Sequence, residues 1–296
     1  MVQKSVCVIL LLLGLLQAQE VEPRAYANLP TRLNVLALAY SWSHGNIIND
    51  ASLPIEDFKV TGHTPAAIYM RTFNLFGKLG KIQALLPFTH LAGSVTIAGK
   101  DTSGTKTGLA DARLRLGVNL IGSPALAPKD FRRFKQGTIL GASIVVGIPT
   151  GQYDANKRVN LGANRWGLKP EIGISHRFAR WYLEGYAGVW LFTDNTEFLG
   201  SSTLKQEPIY SFQWHINYFF KSGAWVALDG VHVDGGRTTV DGVIKNDFQK
   251  NWRLGGKFSF PLGRGHSIQA IFHSGVATRI GADFDIVTIA YQYAWF

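Results

Sequence analysis

Residues Gly137 to Phe178 read GTILGASIVVGIP, then TGQYDANKRVNLGANR, then WGLKPEIGISHRF. Two long β-type segments flank a polar loop rich in Gly and Asn. In the second segment Trp166, Leu168, Pro170, Ile172, Ile174 and Phe178 share one parity. Gly167, Lys169, Glu171, Ser175 and Arg177 share the other. Successive side chains of a strand point to opposite faces, so this strand has an apolar face and a charged face. Globular strands usually run about five or six residues, whereas a strand tilted through a bilayer needs roughly 9–11. The stretch predicts an all-β fold, a transmembrane antiparallel β-barrel of the outer-membrane type with polar groups inside.

The rest of the chain repeats the pattern. About twelve strands can be drawn, at 32–43, 64–76, 81–92, 109–121, 137–149, 166–178, 181–192, 209–220, 223–234, 250–260, 267–278 and 284–296. Tyr210, Phe212, Trp214, Ile216 and Tyr218 oppose Ser211, Gln213, His215 and Asn217, and Trp252, Leu254, Phe258 and Phe260 oppose Asn251, Arg253, Lys257 and Ser259. Strand 223–234 is mixed, since Asp229 falls with Trp225, Ala227 and Val231. Long polar connections at 44–63, 93–108, 150–165, 193–208 and 235–249 alternate with short ones such as Gly77–Gly80 and Ala179-Arg180. Outer-membrane barrels are built this way, with turns in the periplasm and loops outside. Trp42, Trp166, Trp181, Trp190, Trp225, Trp252 and Trp295 fall near strand ends, where rings with one apolar and one wet end suit a membrane interface.

Composition narrows the class. Charged residues are 17% and aromatic residues 12%, with 32 glycines, which suits strands and turns better than a helical enzyme. The 30 Lys and Arg outnumber the 20 Asp and Glu, but they are scattered rather than clustered, which argues against nucleic acid as a partner. Lys4 followed by the apolar run Val6–Leu16 predicts a signal peptide over 1–19 and export. A periplasmic N-terminal segment is expected over 20–31 and the barrel over 32–296. The single cysteine, Cys7, lies in the leader, so the mature chain holds neither a disulfide nor a Cys metal site.

Several motifs carry a family likeness. They are RAYANLP at Arg24–Pro30, AYSWSHG at Ala39–Gly45, Leu53-Pro54-Ile55, PTGQYD at Pro149–Asp154, NLGANRW at Asn160–Trp166, and Pro170-Glu171. On these motifs the chain resembles the outer-membrane transporter family known as "putative MetA-pathway of phenol degradation". The resemblance implies a barrel of about twelve strands and a role in uptake of aromatic or other hydrophobic compounds. It brings no catalytic residues with it.

The candidate pore lining consists of the polar-phase residues Arg113, Arg115, Lys169, Glu171, Arg177, Tyr182, Glu184, Tyr186, Gln213, His215, Asn217, Arg253, Lys257, Gln269 and His273. Charge on the lipid face would cost roughly 2–4 kcal/mol at mid-bilayer, so these belong inside. Tyr182, Tyr186 and Trp190 offer stacking surfaces for aromatic solutes. A candidate constriction loop holds Thr150, Gly151, Tyr153, Asp154, Asn164 and Arg165, with an Asp154–Arg165 pair folding it over the mouth. His273-Ser274 and His266-Ser267 cannot form dyads as neighbours, because adjacent strand residues diverge. No catalytic, metal or cofactor site is assigned. The expected role is passive uptake of small aromatic or hydrophobic solutes across the bacterial outer membrane. Expected partners are outer-membrane lipids and lipopolysaccharide, such a solute, and the barrel-insertion machinery. The competing readings are a lipid-modifying enzyme and a sealed structural barrel.

Overall fold

The computed structural model describes residues 21–48, 55–157 and 159–296; the expected leader lies outside them. Twelve long strands form the wall: β1 (Asn34–Ile48), β2 (Ile55–Leu75), β3 (Lys78–Ile97), β5 (Ala112–Ile121), β6 (Thr138–Ile148), β7 (Gly167–Phe178), β8 (Trp181–Phe192), β11 (Ile209–Phe219), β12 (Trp225–Gly235), β15 (Gln249–Gly263), β16 (His266–Thr278) and β17 (Gly281–Trp295). Every wall pair is antiparallel, and each strand bonds its neighbour in sequence. The first and last strands meet in register from Asn34 opposite Trp295 to Ile48 opposite Gly281, which closes the barrel and removes the free edges.

The wall alternates as hydrocarbon on one side and a filled interior on the other demand. Along β7, Leu168, Ile172, Ile174 and Phe178 are exposed on the outer surface, while Lys169, Glu171 and Ser175 are buried inside. Along β11, Tyr210 and Phe212 face out and Ser211, Gln213, His215 and Asn217 face in. Aromatic residues gather at the rim that carries the short turns, where Trp181 packs on Tyr218 at 4.7 Å and Tyr293 on Trp295 at 5.3 Å.

Three sequence expectations change. The expected loops 44–63 and 93–108 are largely strand: β2 runs back to Ile55, and β3 continues to Ile97 and pairs with β4 (Lys100–Leu109). The cross-strand ladder continues past the membrane because Thr-rich polar pairs, such as Thr96–Asp101, suit a hairpin standing in water. The expected loops 193–208 and 235–249 hold β9 (Asn195–Phe198), β10 (Ser202–Gln206), β13 (Thr238–Val240) and β14 (Val243–Ile244), which form a small separate sheet. Trp190 and Trp225 do not join the membrane girdle. Trp190 is wholly buried, and Trp225 lines the interior. Both sit on the inner parity, and parity outranks proximity to a strand end.

Candidate functional site

The largest departure from the sequence reading is inside the barrel. The segment expected in the periplasm over 20–31 enters the lumen, as seen from Val21 onward. Its side chains match the wall one by one. The Glu22 carboxylate accepts from Arg115, and its backbone N–H donates to Gln213 Oε1 at 3.2 Å. Arg24 gives its backbone N–H and its guanidinium to Glu184 at 2.8 and 3.1 Å. Lys81 donates to the carbonyls of Ala25 and Ala27. Ser123 donates to Asn28 Oδ1 at 2.6 Å.

Tyr26 is the anchor. It is 2% exposed, and its hydroxyl reaches Ser143 at 3.0 Å and the Glu171 carboxylate at 3.2 Å. Its ring stands edge-on to Tyr186 at 5.0 Å. The ring lies over Gly141 of β6 and Gly173 of β7, where a Cβ at either position would collide with it. Those two glycines are paired partners in the ladder and together form a flat seat.

The predicted pore-lining residues therefore divide. Arg115, Lys169, Glu171, Glu184, Tyr186, Gln213 and Asn217 lie beneath or beside the N-terminal segment in a closed polar network. Glu171 receives both Arg115 and Lys169, the latter at 3.0 Å. Asn217 donates to Glu184 at 3.3 Å. Arg113 shares the inner face of β5 with Arg115. On the opposite wall Arg253, Lys257, Gln269 and His273 line a cavity of about 1140 Å³. Arg177 and Tyr182 line it at the short-turn mouth, where it reaches Gln136, Gly223 and Gly265. His215 gives Nδ1 to Asp229 at 2.7 Å, and His273 approaches the other oxygen of the same carboxylate at 3.9 Å.

Above this cavity the interior holds an apolar cluster, with buried Asn251 and Arg253 across the ladder from its Val233 and Val231. Ile47, Phe58, Val60, Leu91, Val145, Trp190, Ile209, Val231, Val233, Ala282 and Phe284 form one buried cluster drawn from opposite walls of the barrel. Outer-membrane barrels ordinarily have a polar interior, so an apolar layer here is a departure. Val21 and Ile286 touch the layer and also line the inner cavity. Phe58, Val60 and Leu91 belong to the layer and also line an outer pocket of about 700 Å³, with Val95, Ile97, Tyr153 and Lys106. Outer pocket, apolar layer and inner cavity thus share walls in succession.

The loop at 150–165 is ordered by its own bonds. Gly151 and Ala163 both donate backbone N–H groups to Asp111, at 2.9 and 2.8 Å. Thr150 Oγ1 accepts from the N–H of Ala112. Tyr153 donates to the Glu197 carbonyl at 3.0 Å, and burial raises its hydroxyl above the usual range. Asn164 donates to Asn195 and Glu197. The expected Asp154–Arg165 pair does not form. Asp154 caps the N–H of Asn156 at 2.9 Å, whereas Arg165 bonds Gln206 and lies 4.5 Å over the Phe192 ring. Asp154 is taken up within its own turn and Arg165 by residues of a distant connection and strand, which leaves the two charges on different partners. From this loop Leu161 packs against the apolar layer.

His273 and Ser274 diverge as adjacent strand residues must: Ser274 donates to Asp285 at 2.5 Å and His273 lines the inner cavity. Ser267 and His266 likewise bond away from each other, to Gln292 and Tyr291. Among the described residues no group of three His, Cys, Asp or Glu converges as a metal site requires.

A closed twelve-stranded antiparallel barrel, apolar outside and filled within, defines an outer-membrane β-barrel protein. Residues 44–282 match the family described as "Putative MetA-pathway of phenol degradation", and the chain belongs to that family. It shares its fold with an outer membrane channel from Pseudomonas putida F1, at 22% identity and a TM-score of 0.78, over 93% of this chain and all of that one. The β domain of the Bordetella autotransporter BrkA is more distant, at 15% identity and a TM-score of 0.51, over 89% of this chain and all of that one. No curated protein matches.

Proposed function

We propose that the protein is a passive outer-membrane conduit for small neutral hydrophobic solutes, aromatic compounds among them. The apolar layer across the lumen carries this reading. An ion entering such a layer loses its hydration, at an idealised cost on the order of tens of kcal/mol. An apolar solute gains instead about 25 cal/mol for each Å² removed from water. A layer walled by Trp190, Phe284, Ile209, Val231 and Val233 therefore selects against ions and sugars and for uncharged rings. The outer pocket gives such a solute an apolar place to leave water, and the inner cavity gives it a way to the periplasm. The family's link to phenol degradation and the channel character of the Pseudomonas relative support the same direction of use.

The test is uptake into proteoliposomes whose outer leaflet carries lipopolysaccharide, since plain phospholipid lets hydrocarbons through unaided. Toluene and phenol should enter faster than in protein-free controls, with glucose excluded. Phe284→Ser should raise ion conductance several-fold by wetting the layer. Uptake no faster than the control would establish a sealed barrel instead.

A further inference from the structure

The inner cavity has one wall that the conduit reading does not use. At the periplasmic end, Tyr182 of β8, Phe219 of β11 and Trp225 of β12 stand side by side on consecutive strands. Phe219 and Trp225 are stacked, 5.7 Å apart at 17°, and Tyr182 lies 4.9 Å from Phe219. All three line the cavity. An aromatic run facing into the lumen is not a membrane girdle, because no lipid reaches it.

Cations flank this run. The Arg24 guanidinium lies 3.9 Å over the Tyr182 ring, and the Lys257 ammonium 5.4 Å over the Trp225 ring. Their situations differ. Arg24 is committed to Glu184 at 3.1 Å. Lys257 pairs with no carboxylate among the described residues, and Asp229, the acid that most influences it, is already bonded to His215. Two residues along the same inner face of β15 stands Ser259, which is directly opposite Trp225 in the ladder. A flat ring surface, an ammonium and a hydroxyl thus converge on one part of the cavity.

We propose that this corner binds a small aromatic carboxylate. Its ring packs against Trp225, and its charge is taken by Lys257 with Ser259 as second donor. The proposal rests on the conduit reading only in placing an aromatic solute in the inner cavity; the site itself is reached from the periplasm. It adds a charge preference that the apolar layer cannot supply. A solute that crosses as a neutral acid and ionises here releases its proton to periplasmic water and is held as the anion.

The purified, detergent-solubilised protein is titrated calorimetrically with benzoate, benzyl alcohol and cyclohexanecarboxylate. Benzoate should bind about tenfold more tightly than either analogue, since one lacks the charge and the other the flat ring. Lys257→Gln should cost benzoate about tenfold and leave benzyl alcohol unchanged, while Lys257→Arg retains most of the affinity. Trp225→Leu should weaken both aromatic ligands. Equal binding of benzoate and benzyl alcohol, benzoate affinity indifferent to Lys257→Gln, or displacement by equimolar chloride would each overturn the assignment. Uptake of toluene without benzoate binding removes this site and leaves the conduit standing. Benzoate binding without uptake does the reverse.

Discussion

The two walls of the lumen are built from the same alternation and end in opposite states. On the β5–β8 and β11 side, inward polar residues meet a segment of the same chain. Arg115, Glu171, Glu184 and Gln213 each find a partner among residues 22–26. On the β15–β17 side, Lys257, Gln269 and His273 face a cavity of about 1140 Å³. The first wall is a folded core with charges in it; the second is a lined space. Buried charge is tolerated only where it is paired and hydrogen-bonded, so the first wall is where substitution should be costly. The second should bear on what the protein holds or passes.

Glu171→Gln should show the contrast most strongly. It leaves the Lys169 ammonium, 1% exposed, without its carboxylate and removes one acceptor from Arg115. Breaking a buried pair from one side costs about 3–5 kcal/mol. The expected readout is a lower temperature of heat-modifiable migration on a gel, and an unchanged temperature would mean that this wall is hydrated after all. Tyr26→Ala comes next. It empties the seat over Gly141 and Gly173 and should weaken docking of the N-terminal segment by about 3 kcal/mol. Limited proteolysis should then clip that segment while the barrel stays intact. Resistance equal to the parent's would show that the ion pairs alone hold it. Gln269→Ala on the open wall is the smallest change. It removes a 2.7 Å bond to Gln292 at the cavity surface and should shift unfolding by no more than about 0.5 kcal/mol.

Much of the barrel was legible from the chain alone. Expected strand 181–192 coincides with β8, and 209–220 and 267–278 differ from β11 and β16 by one residue at one end. The mixed strand 223–234 was also legible as a parity: Trp225, Asp229 and Val231 do share the inner face. What that mixture meant was not legible. Val231 and Val233 face inward because they belong to the apolar layer, and nothing local distinguishes such a valine from one misplaced on a lipid face.

The N-terminal segment was missed for a related reason. RAYANLP has no strand period and only short or isolated apolar side chains, so it reads as a tail. Its one available signal was a lone Tyr between charged and small residues, with glycines on two distant strands to receive it. The Asp154–Arg165 pair failed in the opposite way. Two complementary charges in one loop suggested a contact, but each bonds a different group, Asp154 the N–H of Asn156 and Arg165 the Gln206 side chain.

The sequence by itself determined which side of the wall the residues of the regularly alternating strands occupy, because a period of two admits only two answers and hydrocarbon rejects one of them. The alternation of long and short connections pointed to about twelve wall strands in antiparallel order. Only the tertiary structure decided what the enclosed side holds. Closing the ring brings residues more than a hundred positions apart within hydrogen-bond reach, as with Tyr26 and Glu171. Whether an inward polar group then meets a partner or empty space depends on that closure, and no periodicity along the chain encodes it.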